Sequence, residues 1–247
     1  MKFMRCLFRS PASNRFATTA RSYGDGIGLF HFAKALIRSA LLVASCLLPI
    51  VAYAAPAADP TIHIVAFGDS LTAGYQLPQD SAFPVVMEKA LRADGFAVAI
   101  TNAGISGDTA SDGLDRLDWS VPDGTDAIIL ELGANDMLRG LDPALTKQAL
   151  ASILGKLKAR RIPVLLAGML AAPQLGQDYA SRFNAIYPDL AKAYDVPLYP
   201  FFLAGMAGVA DLTQSDGMHP TREGVEAIVK TMLPTVEAFL KRLRPPS

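Results

Sequence analysis

The stretch Thr61-Ile62-His63-Ile64-Val65-Ala66-Phe67-Gly68-Asp69-Ser70-Leu71 decides the fold. Its first part is a short apolar run rich in β-branched residues, bounded by the turn-forming Gly68-Asp69-Ser70. A run that is apolar at successive positions, not alternate ones, reads as a strand covered on both faces, which is the condition of a parallel sheet between helices. Working outward, similar runs recur at 97–101, 127–132, 164–167 and 197–199, so with 62–67 five strands are expected. Between and after them, helical periodicity is expected at 82–94, 143–160, 177–194 and 222–243. The alternation predicts an α/β fold of three α/β/α layers, a doubly wound five-stranded parallel sheet. One domain spanning 58–244 accommodates it, with no internal repeat and no low-complexity linker.

The chain ahead of this region has a different character. Of the 23 basic residues, seven (Lys2, Arg5, Arg9, Arg15, Arg21, Lys34, Arg38) precede residue 55 against one acid, Asp25. The rest carries 16 basic and 22 acidic side chains, a balance of −6 that argues against nucleic acid or an anionic membrane as partner. Lys34 and Arg38 lead into an apolar run from Ala40 to Val51, and Ala52-Tyr53-Ala54 supplies the small-x-small pattern of a signal peptidase site. Residues 1–54 are therefore expected to be an N-terminal extension and signal peptide cleaved near Ala54, placing the protein in the periplasm or outside the cell. A lipoprotein processed at Cys46 is the alternative, drawn from Val43-Ala44-Ser45-Cys46. No stable membrane span is expected after cleavage, because the run is shorter than the ~20 residues a spanning helix needs. Both cysteines, Cys6 and Cys46, fall in the removed part, so no disulfide is expected.

In an open α/β sheet the ligand site lies beyond the carboxyl ends of the strands. The loops there carry Gly68-Asp69-Ser70-Leu71, Asn102 to Asp108, Gly133-Ala134-Asn135-Asp136 and Asp216-Gly217-Met218-His219-Pro220. Acyl transfer by a serine needs a hydroxyl, an imidazole to take its proton, a group that orients the imidazole, and donors for the developing oxyanion. Past residue 55 there are two histidines; His63 sits within the first strand, so His219 is the candidate base. Asp216 can turn back on it across Gly217. Ser70, at a strand-to-helix turn, is the candidate nucleophile, and the Ser70 N–H, the Gly107 N–H and the Asn135 amide are candidate oxyanion donors. Each signal also has an ordinary reading: Gly-Asp-Ser and Asp-Gly are turns, Asn135 is a cap, and His219 before Pro220 starts a helix. Their joint position past the strands, in parts that complete one mechanism, favours the chemical reading. Asp69 and Asp136 are expected to bind backbone amides and Ser106 to be a loop residue. No metal and no cofactor are expected, since two distant histidines leave only carboxylates as ligands.

These four blocks resemble those of the SGNH hydrolases, also called the GDSL family. Within it, the secreted bacterial arylesterase, acyl-CoA thioesterase I and lysophospholipase group is most similar, through Gly74-Tyr75, Gly107-Asp108-Thr109, Glu131-Leu132-Gly133, Leu138-Arg139-Gly140 and Ile186-Tyr187-Pro188. The resemblance implies a flavodoxin-like sheet, Ser70 as nucleophile, Gly107 and Asn135 as oxyanion donors, His219 as base and Asp216 as its partner. It implies a small-molecule ester or thioester as substrate: aryl esters, medium-chain acyl esters and thioesters, or lysophospholipids. A carbohydrate O-deacetylase of the same fold and a non-catalytic exported binding protein are the competing readings. The apolar stretches 169–176 and 201–206 are expected to line an acyl or aryl pocket.

Overall fold

The computed structural model describes residues 61–243; the expected signal segment, its cleavage site near Ala54 and Cys46 lie outside the described residues. Five strands, β1 (Ile62–Gly68), β2 (Val98–Gly104), β3 (Ala127–Glu131), β4 (Val164–Ala167) and β5 (Leu198–Tyr199), pair in parallel in the order β2-β1-β3-β4-β5. This is the flavodoxin-like form of a doubly wound sheet that the family resemblance implies, with its switch point between β1 and β3. All residues of β3 and β4 are buried, and β1 exposes only His63, as strands covered on both faces must.

The eight helices of the described residues are α1 (Ser70–Ala73), α2 (Phe83–Ala93), α3 (Ala110–Ser120), α4 (Ala134–Leu138), α5 (Pro143–Ala159), α6 (Gln177–Asn184), α7 (Ile186–Tyr194) and α8 (Arg222–Leu243). The connection β1-α2-β2 steps one way across the sheet and the later ones step the other way. Right-handed crossovers therefore place α2, with α8 against it, opposite the row formed by α3, α5 and α7. The core between the layers includes Phe67, Phe83, Leu117, Leu130, Leu166, Ile228 and Met232.

Three local expectations are corrected. The helix expected over 177–194 breaks at Ala185 into α6 and α7, because Pro188 has no N–H for the Asn184 carbonyl. β2 runs on to Gly104 instead of stopping at Thr101: Asn102, Ala103 and Gly104 pair with Ala66, Phe67 and Gly68. Helix α3 was not expected, since Asp112, Asp115, Asp118 and Gly113 make its segment polar. Thr109 starts it with a reciprocal capping box, accepting from the Asp112 N–H while the Asp112 carboxylate accepts from its own.

Candidate active site

The parallel ladder brings the carboxyl ends of β1, β2 and β3 side by side, and the long loop after β5 returns to the same edge before α8. Asp69 caps α1, its Oδ1 accepting from the Leu71 N–H at 2.9 Å, so Ser70 occupies the first helical position directly after the strand. From the other side, Gln214 N–H donates to the His219 carbonyl at 2.8 Å. The Gln214 side chain donates to both Pro220 O and Tyr75 O, at 2.8 and 3.0 Å, pinning the histidine loop to the segment after α1.

The loop brings the Asp216–His219 pair to the serine. Ser70 Oγ and His219 Nε2 are 2.9 Å apart, and His219 Nδ1 lies 2.6 Å from Asp216 Oδ2. A carboxylate only accepts, so Nδ1 carries the ring hydrogen and Nε2 presents its lone pair to the Ser70 hydroxyl. Gly217, at φ +75°, makes the reversal that lets Asp216 Oδ1 also accept from the Met218 and His219 N–H groups, at 2.9 and 3.0 Å. Partial withdrawal from water acts to raise the Asp216 pKa, but these N–H groups and the imidazole outweigh it and hold the carboxyl near 2. The Tyr75 ring lies against the imidazole, centroids 4.5 Å apart and planes tilted by 38°.

The three candidate oxyanion donors border the same space. Among the described residues the N–H groups of Ser70 and Gly107 have no protein acceptor. Asn135 differs: its Nδ2 lies 3.0 Å from both Asp69 Oδ2 and the Asp108 carbonyl, so donation to a substrate oxygen requires one of these bonds to be shared. Arg139, exposed on the rim, donates to Gly107 O at 2.6 Å.

Under the turn that carries Ser70 is a buried polar layer of Asp69, Thr72 and Glu131, of which the sequence reading gave a role to Asp69 alone. Glu131 Oε2 accepts from the Thr72 hydroxyl at 2.8 Å and from the Asp69 N–H at 3.3 Å, while Oε1 has no partner among the described residues. Complete burial, and Asp69 beside it, push Glu131 well above the usual carboxylate range. Burial likewise raises Asp69 to about 6, against the pull of the Leu71 N–H, His219 and Asn135. Asp69 binds an amide, as expected. Asp136 also does so, with Oδ2 on the Ala110 N–H at the start of α3 and Oδ1 on the Thr146 hydroxyl.

Ser70, Gly107, Asn135 and His219 line a cavity of about 730 Å³. The expected apolar stretches contribute to it unequally: Met169, Leu170, Ala172, Pro173, Phe201, Leu203 and Met206 line it, while Phe202 is fully buried in the core against Phe83. Met137, Leu138 and Met218 add apolar wall from α4 and the histidine loop.

The sequence pattern of the GDSL-like Lipase/Acylhydrolase family matches residues 66–227. Esterase TesA of Pseudomonas aeruginosa is 36% identical over 202 residues, covering 81% of this chain and 99% of that one. Thioesterase 1/protease 1/lysophospholipase L1 of Escherichia coli is 37% identical over 186 residues, 75% of this chain and 86% of that one. The crystal structure of AlinE4, an SGNH-hydrolase family esterase, superposes with a TM-score of 0.63 at 46% identity, covering 74% of this chain and 98% of AlinE4. The chain belongs to the GDSL-like lipase/acylhydrolase, or SGNH hydrolase, family.

Proposed function

We propose that this protein is a serine hydrolase that cleaves carboxylic esters and thioesters through an acyl-enzyme on Ser70. The unbroken chain from Ser70 Oγ to His219 to Asp216, at 2.9 and 2.6 Å on the wall of an apolar cavity, carries the reading. His219 Nε2 takes the hydroxyl proton as Oγ attacks the acyl carbon, and Asp216 stabilises the imidazolium that forms. The oxyanion is received by the Ser70 and Gly107 N–H groups and by Asn135 Nδ2. Proton return from His219 to the leaving oxygen or sulfur frees the alcohol or thiol. Water, activated by the same imidazole, then releases the acid. The family relationship and relatives named as an esterase and a thioesterase support this chemistry.

The cavity favours acyl and aryl esters as substrates. Its volume is within the range of about 300–1,000 Å³ typical of small-ligand sites, and its wall is mostly apolar, with methionines that adapt to different chains. Trp119 stands 69% exposed on α3, away from the lining, so the cavity has no tryptophan platform that would favour a sugar. Lysophospholipids extend the same substrate class. Export completes the reading: the 1–54 segment is removed near Ala54, and no helix among the described residues is long and apolar enough to cross a membrane.

The test is covalent labelling by a fluorophosphonate together with turnover of a short-chain p-nitrophenyl ester. Wild-type protein is expected to label and turn over, and Ser70→Ala to do neither while keeping its melting temperature. Turnover by Ser70→Ala near the wild-type rate would overturn the assignment.

A further inference from the structure

Arg116 is a buried basic residue that neither the triad nor the cavity uses. It lies on α3 with 5% of its surface exposed, where an arginine is found only when its charge and donors are satisfied. Nη2 donates to the Gly68 carbonyl at 2.8 Å, and Nη1 to the Ala103 carbonyl at 2.9 Å and Ser120 Oγ at 3.1 Å. Nε pairs with the Asp108 carboxylate, and the guanidinium carbon stands 4.1 Å from the Phe67 ring centroid. One planar fork thus joins the end of β1, the end of β2 and the loop between β2 and α3.

Two of those contacts, Gly68 and Asp108, lead to the candidate oxyanion donors. Gly68 leads through Asp69 to Ser70, and its carbonyl also accepts from the Ile105 N–H at 3.1 Å. Asp108 follows Gly107 directly. The Asp108 carbonyl is in turn one of the two acceptors of Asn135 Nδ2. We propose that Arg116 is a positioning residue of the oxyanion hole, whose guanidinium sets the mutual placement of Ser70 N–H, Gly107 N–H and Asn135 Nδ2 through Gly68 and Asp108. Lysine cannot replace it, because an ammonium is a point donor and lacks the fork that reaches two carbonyls and a carboxylate in one plane. The inference rests on the serine-hydrolase reading above.

The experiment compares an aryl ester with its thiono analogue, in which C=S replaces C=O and the developing anion sits on sulfur, a poor partner for N–H donors. Rates are taken per nucleophile titrated by fluorophosphonate, for wild type, Arg116→Lys, Asn135→Ala and the double variant. Arg116→Lys is expected to lower ester kcat by about thirty-fold or more, with KM changed less than about threefold, approaching the loss from one oxyanion donor. The ester-to-thionoester rate ratio should fall toward that of Asn135→Ala, and the double variant should lose less than the product of the two single losses. A merely structural role lowers both substrates equally, so an unchanged ratio overturns the proposal, as does unchanged ester kcat. If Arg116→Lys yields no titratable nucleophile, Asp108→Asn, which keeps the carbonyl and removes the charge, is read by the same ratio. Activity retained in Ser70→Ala would instead defeat the underlying reading, whatever Arg116 does.

Discussion

Gly104→Ala tests whether the close approach of β2 to the nucleophile turn sets the reactivity of Ser70. A Cβ at Gly104 would stand 2.3 Å from Ala73 N, 2.7 Å from Ala73 Cα and 2.8 Å from the Asp69 carbonyl oxygen, where ordinary contact begins near 3.4 Å. All three are main-chain atoms and none can rotate aside, so relief requires the Asp69–Ala73 turn to move from β2 by about 1 Å. A displacement of that size at a reacting atom costs on the order of a hundredfold in rate. It would be taken directly from the 2.9 Å contact between Ser70 Oγ and His219 Nε2. The same overpacking should cost about 1–3 kcal/mol of stability, lowering Tm by roughly 3–10 °C for a domain of this size. The assay is kcat on a p-nitrophenyl ester, normalised to the nucleophile titrated by a fluorophosphonate, with thermal melting alongside. Wild-type kcat per titrated serine, at any Tm, would refute the claim that this approach positions Ser70.

Asp216→Asn should lower kcat by about 10⁴-fold, because the new amide facing His219 Nδ1 imposes the tautomer whose Nε2–H cannot accept the serine proton; KM should hardly move. Asn135→Ala should cost about 10² to 10³ in kcat, and a change confined to KM would assign Asn135 to substrate binding instead. Asp69, raised to about 6, binds its proton more tightly folded than unfolded, so its contribution to stability is present below about pH 4 and lost as pH rises through 6. Asp69→Asn should flatten the fall in unfolding free energy between those pH values by on the order of 1–3 kcal/mol, and denaturant melts at pH 4, 5, 6 and 7 would show it. Gly155→Ala, in the interior of α5 with only the Tyr194 hydroxyl 3.9 Å from the added Cβ, should stabilise by about 0.5–1 kcal/mol and leave kcat unchanged.

The residues legible in the sequence are those whose chemistry is local. Ser70 after an apolar run, and Asp216 three positions before His219 with Gly217 between, can be read from a few neighbours, because a turn and a hydrogen bond are short-range events. The sheet was legible for the same reason, through the continuous apolar runs of β1, β3 and β4. What escaped depends on residues distant in sequence. Arg116 looks like one basic residue in an acidic helix, and only the fold brings Gly68 and Ala103 to it, 48 and 13 residues away. Glu131 falls within the expected strand 127–132, but nothing beside it in sequence shows that its carboxyl is enclosed, because Thr72 and the Asp69 N–H, 59 and 62 residues distant, close over it. The extension of β2 to Gly104 is likewise decided by its partner β1. One missed element did carry a local signal: Thr109 followed three residues later by Asp112 announces the start of α3.

Ser70 and His219, the proposed nucleophile and base, are 149 residues apart, on the first and last loops of the sheet's working edge. During synthesis, β1 and β2 can pair first, and β3, β4 and β5 then add outward one at a time in the order in which they leave the ribosome. The Asp216–His219 loop comes after all of them and is followed by α8, which must pack on α2 to complete the outer layer. A nascent or truncated chain can therefore carry the serine on a nearly finished sheet and still have no base for it. Hydrolytic activity would then report the completed polypeptide, and partly made chains would be inert toward the acyl compounds of the cell that makes them.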